Sequence, residues 1–561
     1  MHITRYFGLI FMVILESSGF HGAAAHPSSF TPSRHGEISN LRDEVIWSYT
    51  APEDNGDINS PHALGDVNDD GITDIVVCIY DAGYGYDDLL CFNGASQDAD
   101  IVWSIDSQLG ASGSGGYGQE CIDIIPDVDG DDIDDVLYGT AWGGRTVYCR
   151  SGVSGNLIWY LNTYDMPNSG WVYDVTPCDD MNGDDIADAL AAVGNDTKAI
   201  FCISGASSGV ARILWSFYAP DGFLTVDTIE DIDGDGFQDV LAGNGTNYED
   251  DRVFCLRGDP EWTGSRVIWS FHTGSVVRSV ISTTDSNGDY VEDVIAGSGS
   301  DVVYCLSGTD GSIIWSRDLF HDIVKVALLG DVTGDDIPEI LVGATTNAIH
   351  CLNGLTGAIL WSTPTGTANG GYVWTVAAVG DIDGDGMNDA VAGSFDTNVY
   401  VLRGTDGLIL GTFATGRRVY GVAPTPDLNN DGYTDILAGT QGLYGSQATL
   451  YCLSGDNFVP LQPIITLLDT SFIITWTPVS DTDAYWVFGE GNSPYFSPTV
   501  NTLPSNRIAI LPGSETQWES DLGFGDTETN WTFLIMAVDE NQEEIVRSHR
   551  IGESDFQLAI P

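Results

Sequence analysis

Basic residues are scarce in this chain of 561 residues: 19 Lys and Arg stand against 82 Asp and Glu, for a formal charge of −63. Such a surface repels nucleic acid and anionic lipid headgroups, and its natural partners are cations. Beyond the N-terminal region no run of 18 apolar residues occurs, so no membrane insertion by a helix is expected. The nine histidines include no H-x-x-x-H spacing, which removes that class of zinc site. The acidity is not that of a solvated tail, because hydrophobic residues make up 43% and aromatic residues 11%, enough for a packed core. A chain this long exceeds one compact core, so repeats or several domains are expected.

The N-terminus carries Arg5, an apolar run from Tyr6 to Leu15 and an A-x-A pattern at Ala23 to Ala25. This is the layout of a cleaved signal peptide over residues 1–25, with a linker over 26–42, and it predicts a secreted or cell-surface protein. Ten cysteines in an exported chain raise the question of disulfides. Seven of them recur at one place in a repeated phrase (CFNG, CRSG, CISG, CLRG, CLSG, CLNG, CLSG), where a small buried hydrophobe is the simpler reading. The best candidates for bridges are Cys78 with Cys91, then Cys121 with Cys178.

An aspartate-rich phrase recurs eight times at spacings of 46 to 61 residues, from DVNDDGITD at Asp66 to DLNNDGYTD at Asp427. Each is followed by a β-type run ending in Gly, a second strand ending at or near Cys, a Gly turn, and a third strand of the type IIWS. No room is left for a helix. A period near 50 with about four strands per unit predicts a β-propeller, in which each blade covers its neighbour. The IxWS phrase also occurs once early, as VIWS at Val45, and is missing after Cys452. The expected fold is therefore all-β: an eight-bladed propeller over residues 43–457, with the N-terminal strand closing the last blade.

Oxygen-bearing side chains stand at positions 1, 3, 5 and 9 of every phrase. They are Asp66, Asn68, Asp70 and Asp74; Asp127, Asp129, Asp131 and Asp135; Asp180, Asn182, Asp184 and Asp188; and Asp231, Asp233, Asp235 and Asp239. The series continues with Asp285, Asn287, Asp289 and Asp293; Asp331, Thr333, Asp335 and Glu339; Asp381, Asp383, Asp385 and Asp389; and Asp427, Asn429, Asp431 and Asp435. This spacing lets a tight loop wrap all-oxygen ligands around one hard cation, so up to eight structural calcium ions are expected. Position 12 is apolar or Gly and the flanks are strands, which excludes an EF-hand. The Asp331 loop, with Thr333 and Glu339, is expected to be the poorest site.

The D-x-D-G-D-G-x-x-D loop followed by an apolar strand and Gly resembles the FG-GAP repeat of the integrin α-subunit propeller and of bacterial VCBS-type secreted proteins. The phrase YCLSGTDGSIIWS from Tyr304 is similar to the quinoprotein-like propeller repeat. The resemblance implies a calcium-stabilised extracellular propeller used in adhesion or ligand binding. Calcium loops in every repeat depart from the integrin pattern, so integrin partner specificity is not carried over, and nothing in the residues points to a pyrroloquinoline cofactor. From about Pro460 the aspartate loops stop. Residues 460–561 alternate as short strands around Trp476, Trp486 and Trp531 and look like a fibronectin type III β-sandwich of about seven strands.

No catalytic constellation emerges. Gly205-Ala206-Ser207-Ser208-Gly209 spells a nucleophile pattern, and Arg257-Gly258-Asp259 an adhesive tripeptide, but both fall in the repeated turn. The segment seven to nine residues before each aspartate loop begins the innermost strand and should line the channel mouth. It is rich in aromatic and charged residues: Glu120, Trp171, Tyr173, Arg278, Asp322, Tyr372, Trp374, Arg418 and Tyr420. These are expected to bind an extracellular glycan or protein, Trp171, Tyr173, Arg278, Tyr372, Trp374, Arg418 and Tyr420 foremost. The expected function is noncatalytic binding by a monomer. A secreted polysaccharide-degrading enzyme such as a propeller-type lyase, and a purely architectural surface component, are the alternatives.

Overall fold

The computed structural model describes residues 45–459, apart from 55, 81–88, 106–120, 142–143, 164–169, 196, 247–249, 368–369 and 443–445. Beyond them it describes the strands between 464 and 552 with a few flanking residues. The signal-peptide and linker segments and Glu120 lie outside the described residues.

Residues 45–459 form antiparallel sheets, eight of them among the described residues, which we number I to VIII. In sheet I the strands run from innermost to outermost as Asp57–Gly65, Asp74–Tyr80, Leu89–Phe92 and Ile101–Ile105. Sheets II to VII repeat this order, with innermost strands Ile122–Ile125, Gly170–Cys178, Phe223–Ile229, Val277–Thr283, Ile323–Gly330 and Val373–Val379. Sheet VIII begins with Val419–Thr425, and its outermost place is taken by Val45–Asp54 from the start of the chain, with Trp47 opposite Cys452. Sheet II carries a fifth strand, Gly209–Val210, which pairs in parallel with Leu157–Asn162 and covers that edge.

The hydrophobic pattern follows from this layering. Second strands such as Asp239–Asn244 are buried along their whole length because both faces meet a neighbouring sheet. Innermost strands alternate, with one set of side chains in the packing layer and the other half-exposed. Each sheet meets the next through its own cluster; Val379, Val391 and Val401 of sheet VII pack on Val419, Val422 and Ile436 of sheet VIII. Ile58, Ile75 and Phe92 of sheet I pack on Leu437 and Leu450 of sheet VIII.

Polar contacts reinforce the same junctions. Outer-strand tryptophans donate their indole N–H to the turn of the next sheet: Trp103 to Gly152 O (2.8 Å), Trp159 to Gly205 O (3.0 Å), Trp269 to Gly308 O (2.6 Å), Trp315 to Gly354 O (2.7 Å) and Trp361 to Gly404 O (2.8 Å). Sheet VII has Gly411 where the tryptophan would stand, and Phe458, from the short 3-10 turn Gly455–Phe458, lies so close that a Cβ on Gly411 would run into it. At the inner edge, Asp174, Thr225 and Ser279 accept hydrogen bonds from the backbone of Val226, Val280 and Val326, each one sheet onward.

All ten cysteines are buried free thiols, which corrects the expected bridges. Cys78 stands opposite Leu89, and Cys91 opposite Val76, so the two are offset along the ladder rather than paired. Cys121 lies 4.0 Å from the Ser60 hydroxyl, whereas Cys178 packs with Met181 and Cys202 in another cluster.

The C-terminal residues form two antiparallel sheets. One contains Ile464–Leu467, Phe472–Thr475 and Gln517–Ser520; the other contains Arg507–Pro512, Ala484–Gly491, Trp531–Val538 and Glu544–Arg547, with Ile551–Gly552 also on Trp531–Val538. The strands described here number eight, one more than the sequence suggests. Trp476, Tyr485, Trp486 and Phe488 are buried, with Trp476 edge-on to Tyr485 at 5.2 Å. Among the described residues no helix is long and apolar enough to cross a membrane.

Trp315→Phe keeps an aromatic ring in place while leaving the Gly354 carbonyl without its donor. We expect a loss of about 1–2 kcal/mol, read as a lower denaturant midpoint; an unchanged midpoint would show that the indole bond contributes nothing.

Candidate functional site

Each aspartate loop joins an innermost strand to the second strand of its sheet, and its first residue organises it. The Asp127 carboxylate accepts backbone N–H groups from Asp129, Gly130 and Asp131 on one oxygen and from Asp132 on the other. Asp180, Asp285 and Asp331 do the same in their loops. Desolvation acts to raise these carboxyls, but the backbone donors together outweigh it and hold Asp127, Asp180, Asp285 and Asp331 below the usual carboxylate range. Gly in the middle of the loop supplies the left-handed backbone, as at Gly234 (φ 76°) and Gly236 (φ 93°).

The ninth residue is different: Asp74, Asp135, Asp188, Asp239, Asp293, Glu339, Asp389 and Asp435 are fully buried. In the Asp231 loop, Asp239 accepts the Ile232 N–H at 2.9 Å on one oxygen and the Gly258 N–H at 3.0 Å on the other. Asp188 is held likewise by Met181 and Gly205. That turn glycine cannot be replaced without moving the backbone, because a Cβ on Gly205 would run into the Ala187 carbonyl oxygen. Burial, with help from neighbouring loop carboxylates, pushes Asp135, Asp239, Asp389 and Asp435 up to about 7, and backbone donors only partly offset it.

Four loops bring three carboxylates within 4.8 Å of one another: Asp127, Asp129 and Asp131; Asp231, Asp233 and Asp239; Asp331, Asp335 and Glu339; and Asp381, Asp383 and Asp385. An all-oxygen donor set of this kind fits a hard divalent cation. The Asp331 loop, expected to be the poorest, is among them, because the longer Glu339 side chain reaches both Val332 N and Thr333 Oγ1. Where position 3 is Asn68, Asn182 or Asn287, its amide donates to the ninth carboxylate, as Asn68 does to Asp74 at 3.1 Å, whereas Asn429 donates to Ser454.

The aromatic candidates occupy the other end of the innermost strand, about 20 Å away for a seven-residue strand. The structure gathers three of them, with Arg418, at the junction of sheets VII and VIII. Trp374 stacks on Phe395 (5.1 Å, 21°), Phe395 stacks on Tyr420 (5.3 Å, 23°), Tyr372 lies 5.9 Å from Phe395, and the Arg418 guanidinium sits 4.8 Å from the Phe395 ring. Tyr372 is exposed, while Trp374 and Arg418 are half-buried. Tyr420 takes a 2.7 Å hydrogen bond from Gln441. Trp171 and Tyr173 form a separate pair at 6.2 Å, and Arg278 faces Asp322 at 4.0 Å. Sequence reasoning missed Phe395 and Gln441. Both follow a small residue that ends a second strand, Ser394 and Thr440.

Also missed is a polar set along the innermost strands. Asp123 accepts from Thr176 Oγ1 at 3.1 Å and Asp227 from Ser282 N at 3.0 Å, with His62 and Lys325 on two further strands. Burial pushes Asp227 up to about 6 and Lys325 down to about 8. Neither tempting motif in the turn offers a reactive group. Ser207 donates to the Ser204 carbonyl at 2.6 Å within a strand-to-strand turn, and Arg257 is engaged by Asp233.

A model of the FAM234A/B beta-propeller matches residues 297–418. Among solved structures, Sqt1 of Saccharomyces cerevisiae superposes with a TM-score of 0.52 at 10% identity, over 73% of this chain and 98% of its own. The fold is a β-propeller. BamB from Moraxella catarrhalis is similar at 14% identity and a TM-score of 0.42, over 72% of this chain and 96% of its own, and the computationally designed Ika8 protein at 11% and 0.49, over 73% and 99%. No curated protein matches the sequence. The likeness concerns the propeller's architecture.

The ninth-position carboxylates give the propeller a pH dependence of definite sign. Their folded-state values lie above the ordinary value of about 3.9, so the stability they contribute is present below that value and lost as pH rises toward 7. In protein dialysed free of divalent cations, the melting temperature should fall between pH 5 and pH 8; a rise over that range would contradict the assignment.

Proposed function

We propose that this chain is a secreted, calcium-stabilised propeller that binds an extracellular glycan or protein ligand without transforming it. In this reading sheets I to VIII are the eight blades of one closed ring, tied by the strand Val45–Asp54, and the two C-terminal sheets are a fibronectin type III-like sandwich acting as a spacer. The packing of sheet VIII on sheet I and the division of the C-terminal strands into sheets of three and five support it. The chain acts as a monomer, and its acidity keeps nucleic acid and anionic membranes away.

The observation that carries the binding reading is the Trp374–Phe395–Tyr420 stack with Arg418 over it, at the start of two innermost strands. Exposed and half-exposed aromatic faces beside one cation suit a sugar ring or an extended peptide bearing an acidic group. Calcium supports this face only indirectly, since the aspartate loops lie at the opposite strand ends.

Three measurements test the proposal. Export should remove the leader, so N-terminal sequencing of the mature protein should begin near His26. Removal of calcium at neutral pH should lower the melting temperature on the order of 10 °C, given several linked sites. On a panel of acidic and neutral polysaccharides and surface proteins, Trp374→Ala should weaken retention at least about tenfold. Equal retention by wild type and variant would move the site elsewhere, and shortening of any polysaccharide would replace the binder with an enzyme.

A further inference from the structure

Between the third and fourth strands, the residue just before the turn glycine reaches the aspartate loop in several blades. Asn353 donates to Asp335 at 2.9 Å, and Ser454 to Asp431 at 2.6 Å. In two blades this place holds arginine, and both side chains enter the loop. Arg403 Nε donates to Asp383 Oδ2 at 2.7 Å, with Nη1 3.6 Å from Asp406. Arg257 pairs through Nη1 with Asp233 Oδ2, and its guanidinium stacks on Trp262 at 4.5 Å.

We propose that the loops opening at Asp231 and Asp381 are closed by these arginines, so that a guanidinium stands where the other six loops take calcium. The inference rests on the calcium reading above and changes its count from eight to six. The pairing is selective: arginine occurs in this place only where position 3 is Asp rather than Asn or Thr. The third loop with Asp at position 3, that of Asp127, has Ser151 there, and its Asp129 is exposed. Asp383, by contrast, is buried, its side chain 3% exposed under Arg403.

A divalent ion entering either loop meets a fixed positive charge at contact distance and must displace it from a covered position. The displaced group has few alternatives, since Arg257 Nε and Arg403 Nη2 are already buried without an acceptor. Repulsion between like charges so close weakens calcium at these two loops by about a hundredfold or more. Blades IV and VII then keep their loops ordered when calcium is withdrawn, and the six remaining loops carry the calcium dependence.

The test counts calcium on the full-length mature protein by equilibrium dialysis at millimolar calcium. Wild type should hold about six ions, and R257S/R403S, which installs the serine found in other blades, about eight. A second variant, S151R, should close the Asp127 loop and lower the count by about one. Eight ions on wild type, or no gain in the double variant with no loss in S151R, overturns the latch while leaving the calcium loops standing. No bound calcium on any of the three proteins removes the calcium reading itself, and the latch with it.

Discussion

Every blade of this propeller turns on a carboxylate that is out of reach of solvent. The ninth residue of each aspartate loop extends into the protein and receives backbone N–H groups from two places far apart in the repeat. One is the second residue of its own loop; the other, seen for Asp239 and Gly258 and in most other blades, is the glycine before the fourth strand. A buried carboxylate is costly unless its lone pairs are filled, so these bonds define where the loop and the turn must sit. The turn glycine is required by the same contact, because its backbone presses against the carbonyl preceding the carboxylate.

From that anchor the packing of sheet on sheet follows. Once the turn is held over the loop, its glycine carbonyl faces the preceding blade, where an outer-strand tryptophan reaches it. One polar network therefore positions strands within a blade, and the same turn positions the blade against its neighbour. The innermost strands add a second seam through Asp174, Thr225 and Ser279. Hydrophobic clusters fill each junction between neighbouring sheets, while the polar seams select the register in which those clusters meet. Blade VII shows the tolerance of the scheme: with Gly411 in place of tryptophan, Phe458 fills the space from the partner side.

How much of this can be read in the sequence depends on whether a residue acts locally. The aspartate loops, the Gly turns and the IxWS strands were legible because each needs a particular residue type at a fixed spacing, repeated down the chain. The displaced first strand was legible for the same reason, through Val45-Ile46-Trp47-Ser48 at the wrong end. The cysteines were misleading: adjacent strands suggest a bridge, but pairing depends on register, and Cys78 and Cys91 are offset. Phe395, Gln441 and the polar residues of the innermost strands belong to no phrase. They meet their partners across blades, where spacing in the chain says nothing about distance.

The two ends of the innermost strand answer to different constraints. At its C-terminal end the aspartate loops are bound into the framework by the buried carboxylates, so substitutions there disturb the blade as a whole. At its N-terminal end the side chains of Trp171, Arg278, Trp374 and Tyr420 vary from blade to blade while the strand beneath keeps the same burial pattern. A framework that repeats at one end and varies at the other lets side chains change at the variable end without altering the fold. Among the described residues the largest group of aromatic rings at this end lies at the junction of sheets VII and VIII. The Trp171–Tyr173 pair stands apart from that cluster, on the innermost strand of sheet III, because the repeat places an equivalent position on every such strand but the residue type there is set sheet by sheet.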